Sequence, residues 1–283
     1  MDAHPVLVIH GGTGSRPPRS RLERLRRSLR AICEEAYAHL RTHSALESVA
    51  LAVRLLEDAP LFNAGTGSVL QEDGRARMSA SVMDGSGVRF AAVLNIERVR
   101  HPILVAQALL HDEDRVLAGA GAVRFARSLG FPPWNPVTPL RLRQWRRRRR
   151  DQSSLGTVGA VALDRAGRLA VATSTGGKGF ERVGRVSDSG LPVGNYANAQ
   201  AAIACTGNGE DIVDEGLAVR IAQRVADGAS LARAFSRTFG ELRARRRHAG
   251  ADGVSRDGRW RWETTLPILL AVAQTRARRV ESF

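Results

Sequence analysis

The sequence predicts an α+β protein in which antiparallel sheets are covered by helices, and two observations carry that expectation. Strand patterns gather toward both ends of the chain, and segments whose apolar residues recur at helical spacing lie between them. At 283 residues with 43% apolar content, the chain has enough material for one large core or two small ones.

The elements follow in order. Residues 5–9 form a short apolar strand that leads into the Gly11-Gly12 turn. No basic segment precedes that strand, so it does not read as a secretion signal. Over 19–41, Leu22, Leu25, Leu29 and Ile32 share one helical face and arginines cover the other. Ser44 with Glu47 is a capping box that opens a second helix running to about residue 57. Strand patterns come at 67–71, 76–83 and 88–96, then helices at 102–110 and 113–129. Pro132, Pro133, Pro136 and Pro139 end that half and begin a linker. A hairpin over 157–175 opens the second half. A strand at 197–205, two helices within 209–245 and strands near 253–262 and 264–273 close it.

Composition excludes several classes. No apolar run reaches the ~18 residues a bilayer span requires. Cys33 and Cys205 stand far apart, as reduced thiols of a cytoplasmic protein would, and the seven histidines form no HxH or HExxH pattern. No membrane or cofactor partner is therefore expected. The net charge of +15 is almost wholly arginine, with Lys178 the one lysine, which fits a GC-rich coding sequence. Its densest block runs from Arg141 to Arg150 around Trp145. Adjacent like charges favour a solvated, extended chain, so Arg146 to Arg150 read as part of a linker over about 132–156 rather than as a nucleic-acid surface.

The stretch Leu155-Gly156-Thr157-Val158-Gly159-Ala160-Val161 carries the chemistry. Gly156 leaves its carbonyl open to attack and Thr157 supplies a hydroxyl. Cleavage between them would give Thr157 a free α-amine, with an unperturbed pKa of about 7.7–8.0, so that one residue holds both nucleophile and base. If the hairpin turns near Ala166, Thr157 and Thr175 lie opposite each other, with Cβ atoms about 4.5–5.5 Å apart. A slip of one residue would separate them.

The strings GTVGAVALD (156–164), ATSTGG (172–177), GRVSDS (184–189), NYAN (195–198) and CTGNGED (205–211) resemble the plant-type L-asparaginase and isoaspartyl peptidase family of N-terminal nucleophile hydrolases. In the first half, VIHGGTGS (8–15), LEDAPLFNAGTGSVL (56–70) and SVMDG (81–85) resemble its amino-terminal subunit. The likeness runs from about residue 5 to about residue 275. It implies a four-layer αββα sandwich and a precursor that cuts itself into segments 1–156 and 157–283, which together form one folded domain. It further implies an (αβ)2 dimer acting on a small β-aspartyl substrate.

By the same resemblance, Thr157 is the nucleophile, Thr175 supports it, and Asn63 lies against it. Thr206 and Gly207 form the oxyanion hole, whose donors stabilise the charge of a tetrahedral intermediate. Arg185 would fork onto a substrate α-carboxylate, and Asp188 with Gly209 would take its α-ammonium. Alternatively, Arg185 and Asp188 pair with each other in a surface turn. No cofactor is required. A structural sodium ion is implied on the carbonyls of Leu56, Glu57, Ala59, Phe62, Ala64 and Thr66, since carbonyl oxygens suit hard cations. The His10-Gly11-Gly12 segment is either part of a strained region facing the scissile bond or a plain tight turn.

Two departures stand out. Ser79 occupies a position where the family commonly has aspartate, which bears on support of the site and on maturation. The segment from Trp262 to Leu270 stands in place of a glycine-rich loop and strand, and Glu263 to Thr265 are expected to line the pocket edge, so preference among asparagine, isoaspartyl dipeptides and larger β-linked substrates does not transfer. The competing reading is an uncut relative that binds nucleic acid or another polyanion through its arginines.

Overall fold

The computed structural model describes residues 4–147 and 156–283. The first strand, β1 (Val6–Gly14), is longer than its apolar core, because it continues through a bulge at Gly11-Gly12. Gly12 takes φ +108 there, which favours glycine. Helix α1 (Arg19–Leu40) buries Leu22, Leu25, Leu29 and Ile32 along one face. In α2 (Ala45–Asp58) the Ser44–Glu47 capping box is formed in both directions. Next come β2 (Met78–Asp84), β3 (Arg89–Ile96) and α3 (Pro102–Ala108), whose first residue is a proline. A three-residue strand, β4 (Val116–Ala118), precedes α4 (Gly119–Ser128), and α5 (Pro139–Arg146) ends the first half.

The second half begins with β5 (Val158–Leu163) and β6 (Leu169–Thr175). Their turn is held by the Asp164 carboxylate, which accepts from the N–H groups of Ala166 and Arg168, with Gly167 at φ +75. β7 (Asn195–Ala197) and β8 (Ala201–Gly207) follow, then α6 (Gly209–Glu215), α7 (Leu217–Ala226) and α8 (Leu231–Ala244). The chain closes with β9 (Ala249–Ser255), β10 (Trp260–Thr264), β11 (Ile268–Thr275) and β12 (Arg279–Ser282).

These strands form an eight-stranded sheet, ordered β12-β11-β1-β5-β6-β2-β3-β4, and a four-stranded sheet, ordered β10-β9-β8-β7. Pairing is antiparallel except for β3 with β4. Three buried clusters tie the elements together. One joins the large sheet (Leu7, Ile9, Ala160) to α1–α4 through residues such as Leu25 and Val53. A second sets Val8, Val161 and Val171 of the large sheet against Ala202, Ala204 and Val254 of the small one. The third packs Ile203 and Cys205 against Ile221, Phe235 and Phe239 of α7 and α8. The molecule is thus a mixed α+β fold of two facing sheets and flanking helices. Among the described residues, no helix is long and apolar enough to cross a membrane.

Several expected elements differ. Residues 67–71 form no strand, because Gly67, at φ +107, is packed against Pro60 and Phe62 and turns the chain. The helix expected over 113–129 begins as β4, whose three residues add to the edge of β3. The strand expected over 197–205 is broken where the Asn198 carboxamide oxygen accepts from the N–H groups of Gln200 and Ala201. Asp257-Gly258, with Gly258 at φ +79, divides 253–262 into the β9–β10 hairpin.

The Arg-rich linker over about 132–156 also needs correction. Residues 139–146 are helical, capped by the Thr138 hydroxyl. Arg141 is buried, with Nε donating to Gly67 O at 2.7 Å, and the Trp145 indole donates to Gln71 O at 3.0 Å while its ring covers Gly74. These anchors outweigh repulsion among the arginines. Arg148, Arg149 and Arg150 lie outside the described residues.

Candidate active site

Thr157 sits at the entrance to β5, nearly buried at 5% exposure. The β5–β6 register pairs Val158 with Ser174, and one step outward it sets Thr157 beside Thr175. β2 flanks the same point, because Ser79 is the partner of Thr175. The Ser79 hydroxyl accepts from Asn95 N–H at 3.2 Å, so a neutral group stands there where a carboxylate was the family expectation. The closest side-chain partner recorded for the Thr157 hydroxyl is Ser189, with Oγ atoms 2.7 Å apart. Ser189 belongs to a 3-10 turn (Asp188–Gly190) that folds over the strand ends. Sequence reasoning missed it: its string was read for its two charges, and only the tertiary fold brings the hydroxyl to Thr157.

Thr206 and Gly207 end β8 on the facing sheet. The Thr206 hydroxyl donates to Thr157 O at 3.3 Å. A Cβ placed on Gly156 would lie 3.4 Å from Thr206 Oγ1 and 3.7 Å from Gly207 N, so the backbone before Thr157 runs against both groups. Gly207 has φ +133, and a Cβ there would come within 2.8 Å of His248 O. Asn208 then caps α6 through the N–H of Glu210.

The charged residues converge on the same cavity, of about 420 Å³, which Gly156, Thr157, Thr175, Arg185, Asp188 and Gly209 help to line. Arg185 and Asp188 do not pair with each other. Arg185 donates to both oxygens of Glu210 at 3.0 and 3.1 Å, and Lys178 joins the same carboxylate at 2.7 Å. Burial works against ionising Glu210, but hydrogen bonds from Arg185 and Lys178 outweigh it and bring its carboxyl down to about 2. Asp188 is the reverse case. Burial pushes its carboxyl up to about 6, although the Ser187 hydroxyl and the Arg185 charge oppose the shift. Its Oδ2 has no hydrogen-bond partner among the described residues. A buried carboxylate with an unused oxygen is prepared for an incoming cation. Gly209 leaves the opening, since a Cβ there would lie 2.6 Å from Arg185 Nη2 and 2.7 Å from Asp188 Oδ1.

The first half supports this site from behind. Asn63 is buried, donates to Gly177 O at 2.6 Å and accepts from Val69 N–H at 3.0 Å. It ties the Gly176-Gly177 loop that follows Thr175 to Val69, and its side chain bonds to these two segments rather than to Thr157. In the loop over 56–66, Gly65 at φ +48 packs so closely on Glu57 that a Cβ would lie 2.5 Å from Glu57 O. Backbone N–H groups of Ala59, Phe62 and Thr66 bond back to the carbonyls of Leu56, Ala59 and Glu57, while Ala64 is buried inside the loop. The Glu57 carboxyl is driven well above its usual range by burial, despite hydrogen bonds from Ser174 and Ile103. Among the described residues, no group of three His, Cys, Asp or Glu side chains is arranged to hold a metal.

His10 lies within β1 rather than in a turn, and its Nδ1 meets Asp252 Oδ1 at 2.5 Å across the two sheets. The pocket edge expected from Glu263 to Thr265 is formed instead by Thr13 and Leu266. Glu263 turns away to Arg243 at 2.8 Å, and the Thr264 hydroxyl reaches Thr13 at 3.0 Å.

Over residues 3–282 the chain matches the family described as asparaginase. It is 47% identical to the isoaspartyl peptidase/L-asparaginase of a Nostoc species, over 94% of this chain and 91% of that protein. It is 38% identical to the plant-type L-asparaginase of Pyrococcus horikoshii, over 72% of this chain and 74% of the other. To the isoaspartyl peptidase of Salmonella typhimurium it is 40% identical, over 83% and 84% respectively.

Proposed function

This chain belongs to the asparaginase family, and on that premise we propose that it is a self-activating threonine hydrolase of β-aspartyl peptides and of the side-chain amide of asparagine. The observation that carries the reading is the cavity in which Thr157, Gly207 and the Arg185–Asp188 charges face one another, with the Thr206 hydroxyl on the Thr157 carbonyl behind it.

Thr157 first attacks the Gly156 carbonyl, the peptide bond gives way to an ester with release of the Thr157 α-amine, and water then opens the ester to free the Gly156 carboxylate and the Thr157 hydroxyl. In the mature enzyme that amine takes the hydroxyl proton. Oγ1 then attacks the β-carbonyl of a substrate whose α-carboxylate lies on Arg185 and whose α-ammonium lies on Asp188 and Gly209. Thr206 and Gly207 stabilise the oxyanion, a role in which one donor is typically worth about 2.7–4 kcal/mol. The amine or ammonia leaves, and water releases aspartate from the acyl-enzyme. Thr175 polarises the nucleophile from the adjacent strand, and Asn63 holds the loop behind it.

The three buried clusters support a four-layer αββα sandwich, with segments 1–156 and 157–283 as one folded domain. The carbonyls of Leu56, Glu57, Ala59, Phe62, Ala64 and Thr66 would hold a sodium ion that stiffens the loop carrying Asn63. The closure of that loop on Glu57 suits such a cage, and each carbonyl keeps a second lone pair. We also propose an (αβ)2 dimer and a cytoplasmic setting, the latter supported by two buried free thiols. The test is release of aspartate from a β-aspartyl dipeptide and from asparagine, with the α-aspartyl isomer as control. Turnover of the β-linked compounds and not of the isomer is expected. Absence of turnover in a chain cut after Gly156 would defeat the assignment.

A further inference from the structure

The maturation step lacks the base that turnover uses. Before cleavage the Thr157 nitrogen is an amide, which cannot accept the hydroxyl proton, so the first attack on Gly156 needs a base from elsewhere. A chain of hydroxyls leads away from Thr157. Its Oγ1 is 2.7 Å from Ser189 Oγ, Ser189 Oγ is 3.2 Å from Ser187 Oγ, and Ser187 Oγ donates to Asp188 Oδ1 at 3.1 Å. All four residues are nearly or fully buried. Each hydroxyl has one proton. The Ser187 hydroxyl lies between Ser189 Oγ and Asp188 Oδ1 and is placed to donate to either, while its oxygen accepts from Ser189 N–H at 3.2 Å. When the Ser187 proton turns to Asp188, rotation of the Ser189 and Thr157 hydroxyls links the nucleophile to the carboxylate.

We infer that Asp188 is the base for self-cleavage, acting on Thr157 through the Ser189 and Ser187 hydroxyls. This rests on the reading of Thr157 as nucleophile and gives Asp188 a task before any substrate is bound. As Thr157 Oγ1 bonds to the Gly156 carbonyl carbon, its proton passes to Ser189, the Ser189 proton to Ser187, and the Ser187 proton to Asp188 Oδ1. The carbonyl electron pair moves onto oxygen. When the intermediate collapses, the C–N bond breaks and the proton returns along the same hydroxyls to the departing Thr157 nitrogen, leaving an ester and a neutral amine. No external reactant is needed until water hydrolyses the ester.

The surroundings of Asp188 suit the task. Arg185 and Glu210 act on it from its own loop and from α6, and the buried Cys205 thiol faces it from β8 with Asp252 beyond. Burial holds the carboxyl at about 6, which makes it a better proton acceptor than an exposed aspartate and leaves it ionised at neutral pH. Ser187 and Asp188 are positioning residues in this step, since they act through Ser189.

The experiment follows precursor made in cell-free translation as it converts to fragments between pH 5 and 8. The wild-type rate should fall about tenfold per unit below pH ~6, as loss of an ionised base requires. Ser187→Ala and Ser189→Ala should each slow cleavage about 10²-fold and flatten that acid limb, while Ser187→Thr, which keeps the hydroxyl, should restore it. A flat wild-type profile overturns the proposal whether or not the variants fold. So do serine variants that mature at the wild-type rate with the acid limb intact. Cleavage of Thr157→Ala at the same bond marks failure of the nucleophile reading instead.

Discussion

Gly209→Ala puts a methyl group into the space meant for the substrate ammonium. The new Cβ would stand 2.6 Å from Arg185 Nη2 and 2.7 Å from Asp188 Oδ1, closer than a methyl group can approach either. Arg185 has a long side chain and can yield. Asp188 is buried and held by Ser187, so the methyl takes the space meant for the ammonium. Gly209 is not at positive φ, so the substitution adds no backbone strain. Losing a buried charge-assisted contact costs about 2–4 kcal/mol, which is a fall of about 30- to 1000-fold in kcat/KM. The assay is aspartate release from a β-aspartyl dipeptide, with maturation followed on a gel. Self-cleavage involves no free ammonium, so mature enzyme should still accumulate, although the methyl beside Asp188 Oδ1 is expected to slow its formation. Gly240→Ala, with open space around its Cβ, is the control. A matured Gly209→Ala enzyme within about threefold of wild type would refute the geometry, because a bound ammonium would then lie elsewhere.

Arg185→Lys keeps the charge but loses the two-pronged guanidinium, so kcat/KM on β-aspartyl dipeptides should drop at least ~10-fold while self-cleavage persists. Measured against pH, kcat/KM should decline on the acid side through about 6, because the free enzyme must hold Asp188 ionised to receive the ammonium and its carboxyl is raised to that value. A plateau down to pH 5 would count against that role. Replacing Arg146 to Arg150 with serine should leave cleavage and turnover within about twofold, since Arg146 and Arg147 are exposed and do not line the cavity, and at ~8 Å Debye length such charges exert little field there. Any nucleic-acid affinity should weaken steeply with salt in the parent and fall in the variant.

Much of the site was legible because its residues lie on strands and turns that short patterns specify. The Thr157–Thr175 pairing follows from alternation and the Asp164-Arg165-Ala166-Gly167 turn, and the register matches the expectation. Gly207 and Gly209 were legible only through the family resemblance, which assigns them to the oxyanion hole and the ammonium site. Ser189 was not, because its meeting with Thr157 depends on a loop folding across the sheet. Nor was the pairing of Arg185 with Glu210, which joins residues 25 apart in sequence. The helix at 139–146 was hidden by charge: composition counted arginines, whereas Arg141 and Trp145 are fixed by backbone carbonyls of the 67–71 loop. Edge strand β4 was too short to interrupt a helical pattern.

The self-cleaving threonine is tested most directly by the amino terminus of the smaller fragment. Purified protein is incubated, separated on a denaturing gel, and sequenced from the amino end alongside Thr157→Ala and Thr157→Ser. The account predicts a fragment beginning Thr157-Val158-Gly159 from the wild type, the same fragment formed more slowly by Thr157→Ser, and an intact, inactive Thr157→Ala chain. An uncut wild-type chain that releases aspartate, or a Thr157→Ala chain cut at the same bond, would contradict it.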